Sequence, residues 1–155
     1  MKRKITLSVL IALLTLGLVA IPAMAMKSLK VHIEVPEVIA AGPDPFTASG
    51  PAVDAGLLCA AGKVVDTSST FGSTLGVVQI LYVSKTFTCD DESGTFDVDM
   101  VVKLNTITSK TNAKWQIVGG SGDYTGLIGN GKLKGIPFIP GGVGTILDIY
   151  DGKLY

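Results

Sequence analysis

Between Gly119 and Gly135 the chain reads Gly-Gly-Ser-Gly-Asp-Tyr-Thr-Gly-Leu-Ile-Gly-Asn-Gly-Lys-Leu-Lys-Gly. No other segment limits the possible folds as strongly. Glycine belongs where the backbone needs a positive φ or must come close to another backbone. The segment therefore reads as a tight turn followed by a strand that its neighbours press against. Gly119, Gly120, Gly122, Gly126, Gly129 and Gly131 are its structural positions. Glycines from Gly126 to Gly135 suit a sharply bent strand of the kind that barrel corners require. A phosphate loop is excluded, because the terminal Gly-Lys-Ser/Thr is missing and no helix pattern follows.

The rest of the chain supports a sheet. Phe96, Val98, Met100, Val102 and Leu104 alternate with Thr95, Asp97, Asp99, Val101 and Lys103. That period of two gives one buried and one wet face. Strand patterns also run over Lys63–Phe71, Val77–Cys89, Lys114–Val118 and Gly144–Tyr150, with a further strand-like piece at Leu29–Val35. Asp90–Gly94, Asn130-Gly131 and Gly141-Gly142 mark turns or bends. The stretch from Pro36 to Pro51 reads as loop, and its Phe46 can either enter the core or stay outside. No amphipathic helix is evident after the first residues. Short strands at close spacing predict an all-β fold, an antiparallel sandwich or barrel.

The first residues read as an export signal. Lys2, Arg3 and Lys4 precede an apolar run from Leu7 to Ile21, and Ala23-Met24-Ala25 offers a cleavage site. The run is short for a membrane span. The expected product is secreted or periplasmic, with no stable membrane anchor after cleavage. The domains are then a signal peptide at 1–25, a leader strand and Pro/Gly loop at 26–50, and a barrel domain at 51–155. Loss of the three early cations leaves ten basic residues against thirteen acidic ones, a balance of about −3. There is no basic stripe of the kind that nucleic-acid binding needs. Export would place Cys59 and Cys89 in an oxidising compartment, where one disulfide is expected; two separate thiols are the alternative.

The run Trp115-Gln116-Ile117-Val118-Gly119-Gly120, with Tyr124 and Gly126 after it, resembles the glycine-rich hairpin of the allene oxide cyclase barrel-like proteins, a group that also resembles the dirigent proteins. A second similarity, to small exported bacterial proteins, runs from Ser49-Gly50-Pro51 through the cysteine pair to Gly94-Thr95-Phe96. The resemblance implies a short antiparallel β-barrel of about eight strands, with an internal cavity able to hold a small hydrophobic ligand. It also implies a homo-oligomer, a trimer in several members. The cyclases' interior polar residues have no counterpart that the match reaches. The dirigent arginine has none either, since Arg3 is the chain's sole arginine.

Few residues carry reactive chemistry. His32 is the sole histidine, so a Ser-His-Asp site or a zinc cluster is not supported. It reads as a solvated end residue. Asp90, Asp91 and Glu92 lack the spacing of a calcium loop and read as a hairpin tip. Asp97 and Asp99 read as the wet face of a strand. Neither a metal nor a cofactor is implied. Lys85 has two registers open to it. With Leu81, Val83, Phe87 and Cys89 it would point inward and offer a cation to an acidic ligand. In the other register, with Tyr82, Ser84, Thr86 and Thr88 inside, it would point out. The cost of burying lysine favours the second. Lys85, Trp115 and Tyr124 are the candidate cavity residues. The expected function is non-catalytic binding of a small apolar molecule. An isomerase or cyclase acting on a lipid-derived substrate is one alternative. A self-assembling module, suggested by Val101 and Val118 on otherwise polar faces, is another.

Overall fold

The computed structural model describes residues 27–38, 42–138 and 144–155. The expected signal peptide and the Gly141-Gly142 turn lie outside them. The strands are β1 (Leu29–Val38), β2 (Asp44–Ser49), β3 (Ala61–Leu75), β4 (Val78–Cys89), β5 (Gly94–Asn105), β6 (Thr111–Gly122), β7 (Gly129–Pro137) and β8 (Thr145–Leu154). One short helix, α1 (Pro51–Asp54), follows β2. Each strand pairs antiparallel with the next, and β8 returns to β1, so the eight strands close a barrel in sequence order. The closure is long, running from Leu29 opposite Leu154 to Val38 opposite Thr145. Among the described residues no helix is long and apolar enough to cross a membrane.

Alternation builds the wall. Val31, Ile33 and Val35 of β1 point inward, as do Phe96, Val98, Met100 and Val102 of β5. β1 extends the strand-like piece expected at Leu29–Val35, while β2, expected as loop, supplies a second stave of the barrel. Prolines had masked β2, because proline lacks the N–H of a ladder bond. Pro36 is tolerated beyond the last β1–β2 pair, Glu34 opposite Thr47, where β1 is paired with β8 alone. Phe46 of β2 is fully buried. The β5–β6 ladder skips one residue: Val98 faces Ile117 and Asp97 faces Gly119. Val118 is the extra residue of this bulge and is exposed, as is Val101.

One end of the barrel is filled. Phe87 and Phe96 stack with ring centres 4.7 Å apart. Phe46 meets both edge-on, at 5.3 and 6.2 Å, and Tyr150 meets Phe87 edge-on at 5.7 Å. Such pairs add to the large apolar area that aromatic rings bury. Trp115 lies across Gly131 and Gly152, where any Cβ would collide with its ring and with facing backbone. The glycines of β7 and β8 thus make room for the indole, which donates to the Lys132 carbonyl at 3.1 Å. The turn after β6 opens at Gly122, with φ 61°. It carries Tyr124, whose hydroxyl shares a hydrogen bond with Ser93 Oγ at 2.7 Å and whose ring meets Phe96 at 5.9 Å. A Cys59–Cys89 disulfide ties the segment after α1 to the end of β4, with 6.0 Å between the Cα atoms.

Candidate functional site

The other end of the barrel is hollow. A cavity of about 400 Å³ opens there, within the usual range of roughly 300–1,000 Å³ for small-molecule sites. Leu81 and Val83 of β4, Met100 and Val102 of β5, Leu133 of β7 and Ile146 of β8 form its apolar wall. The aromatic layer of the filled end lies deeper along the same inward rows. Phe87 follows Lys85 by two residues on β4, and Tyr150 follows Asp148 by two on β8.

Four ionisable residues meet at this boundary, each on an inward row. Val31, Ile33 and Val35 lead to Glu37 on β1, and Gly62 and Val64 lead to Asp66 on β3. The rows from Cys89 and Phe87 on β4 and from Tyr150 on β8 lead to Lys85 and Asp148. Topology explains the gathering. Beyond Glu34, β1 pairs with β8 alone, and beyond Val64, β3 pairs with β4 alone. The β1–β2–β3 seam is therefore less tightly laced at this end, and charged groups can be accommodated there. Lys85 stands directly across the ladder from Asp66, and its Nζ is 2.8 Å from Asp66 Oδ1 and also bonded to Glu37 Oε2.

Lys85 is thus inside, only 4% exposed, against the outward register that burial cost favoured. The reason is the pairing, since a buried ammonium is tolerated when carboxylates and hydrogen bonds compensate it. Burial draws its pKa down, but the charges and hydrogen bonds of Glu37 and Asp66 outweigh this, and the net shift is upward. The expected role of Lys85 as a free cation for an acidic ligand is not supported, because two carboxylates already hold it.

Asp148 is 6% exposed, and its Oδ1 has no hydrogen-bond partner among the described residues; the same holds for Thr111 Oγ1 and Tyr150 Oη. Burial raises the pKa of Asp148 to about 7, helped by the charge of Glu37 and opposed by Lys85, while Glu37 also lies within hydrogen-bonding reach. The Tyr150 hydroxyl is fully buried and pushed well above its ordinary value, so it stays neutral. Among the described residues the site has three carboxylates around a single ammonium. Among the described residues, no group of three or more metal-ligating side chains is placed to hold an ion.

Trp115 and Tyr124, the other two expected cavity residues, are not part of this lining. Both are buried in the filled half, where large rings close the floor. Asp97 and Asp99 lie on the outer wall and accept hydrogen bonds of 2.6 Å from Thr86 and Ser84. His32 is also on the outer wall, with Nδ1 2.7 Å from Asp151 and Nε2 3.3 Å from Glu34. The hydrogen bond to Asp151 raises its pKa, against a smaller opposing effect of burial and with help from Glu34. Sequence reasoning missed Glu37, Asp66 and Asp148. The signal was present: each continues a period-two inward row of apolar residues or glycine. No known protein family, curated protein or solved structure matches the chain.

Proposed function

We propose that the protein is an exported binding barrel that takes up a small molecule with an apolar body, without catalysis. The observation that carries this reading is the division of the interior into a solid aromatic floor and a hollow half with an apolar wall. A fully packed barrel would have no volume to offer. The hollow, by contrast, presents a wall of Leu, Val, Met and Ile side chains with a charged cluster at its inner end, and apolar walls with placed polar groups are what ligand sites offer. The amino-terminal signal pattern and the disulfide support export. The likeness to the allene oxide cyclase barrel-like group favours the same use of the cavity, and fold analogy carries no further than that. Native mass spectrometry of protein purified from its own source tests the reading. A small molecule that stays bound and is lost when Leu133→Trp fills the cavity is the expected result. Protein of bare mass that also takes up no added apolar probe would refute it.

A second reading, an isomerase or cyclase-like enzyme, draws on Asp148. A carboxyl that titrates near neutrality can both hold and release a proton at working pH. Incubating the protein with its recovered ligand in heavy water separates the two readings. Deuterium incorporation that stops in Asp148→Asn would favour the enzyme, and an unlabelled ligand would favour the carrier.

A further inference from the structure

We infer that the ligand's polar end is an amine, so that the hollow half of the barrel selects an amphipathic ammonium compound with a short apolar tail. This rests on the binding reading above and adds the chemistry of the headgroup. Glu37, Asp66 and Asp148 bring three carboxylates to the inner end of the cavity, and among the described residues Lys85 is the one cation beside them. Lys85 is engaged by Glu37 and Asp66. Asp148 lines the cavity, is more than nine-tenths buried, and keeps Oδ1 without a partner. Such an acceptor strongly favours an incoming donor, because an unsatisfied buried polar group is costly.

The three common headgroups fare differently at this point. A carboxylate would add a fourth negative charge beside an acceptor, with no free donor cation to meet it. A hydroxyl can donate one hydrogen bond to Asp148 but leaves the negative excess uncompensated. An ammonium donates up to three hydrogen bonds and supplies the missing positive charge, and charge-assisted bonds are roughly twice as strong as neutral ones. Thr111 Oγ1, a further unpartnered acceptor on the cavity wall, can take a second hydrogen bond. The tail would then lie along Met100, Val102, Leu133 and Ile146 towards the open end.

Calorimetric titration at pH 8 with octylamine, 1-octanol and octanoate tests this, because the three share one tail and differ in the headgroup. The expected order is octylamine tightest, by about tenfold or more over octanol, with one molecule bound per chain, and octanoate weakest. Asp148→Asn should erase the preference for the amine while leaving octanol binding in place. Asp66→Asn, altered at a half-exposed position, should weaken the preference and guards against a folding defect in the first variant. Equal binding of amine and alcohol, or a preference for octanoate, would overturn the headgroup assignment and leave the binding barrel standing. Failure of all three ligands to bind would overturn both.

Discussion

At the residue scale, the account turns on Asp148 and Lys85. Asp148 holds its proton to about pH 7 in the folded barrel, whereas an unfolded aspartate loses it near pH 4. Between those values the folded state binds more protons, so stability falls as pH rises through the window. Asp148→Asn should therefore leave stability nearly unchanged at pH 4 and raise it at pH 8, on the order of 2–4 kcal/mol. Denaturant titrations at the two pH values check this; a loss at pH 8 would mean that the ionised carboxylate is compensated in the fold. Lys85 has the opposite character. Lys85→Met strands Glu37 and Asp66 without their cation and should cost about 3–5 kcal/mol at pH 8. In an Asp148→Asn background the cost should shrink, because one of the carboxylates left behind is gone. A double-mutant cycle at pH 8 reads that coupling, and strict additivity would contradict a shared cluster.

At the level of the elements, most strands were legible because alternation is a local property. β5 needed only its own residues, with Phe96, Val98, Met100 and Val102 at every second position. β4 was ambiguous, since both of its faces contain apolar residues and the choice of face rests on what Lys85 meets across the barrel. Its partners Glu37 and Asp66 lie on β1 and β3, far away in sequence, and no single strand reveals them. β2 was hidden by Pro43 just before it and Pro45 within it, which signal a loop locally, and yet Pro45 fits a short stave. The glycine hairpin was legible in kind: Gly131 is a point of close approach. The approaching group, the Trp115 ring, was visible only in three dimensions. Gly131→Ala should cost about 1–3 kcal/mol by overpacking. It should also shift Trp115 fluorescence towards longer wavelength as the ring is displaced; an unchanged spectrum would mean that the indole does not rest on this glycine. Replacing both Cys59 and Cys89 by serine removes the constraint on the span between them, whose sequence separation is 30, and should lower stability by about 3.6 kcal/mol in the chain-entropy picture. Equilibrium unfolding of this variant checks the value, and a change below about 1 kcal/mol would show that the tie adds little to the packed floor.

For the whole molecule, the same eight-stranded wall supports two interiors. In one half Phe46, Phe87, Phe96, Tyr124, Trp115 and Tyr150 interlock and make the floor rigid. In the other, smaller side chains and a charged cluster leave a volume. This division reconciles the stability of a closed barrel with the capacity to take in a molecule, because the core that holds the fold is separate from the surface that would bind. The most direct test of that division is a methyl NMR titration of the protein with 1-octanol, which probes the hollow without reference to charge. The shifts should be confined to the methyl groups of Met100, Val102, Leu133 and Ile146, while those of Val31, Val64 and Leu154 stay in place. Shifts spread evenly over both sets, or absent from the first, would contradict a barrel that is solid at one end and open to ligand at the other.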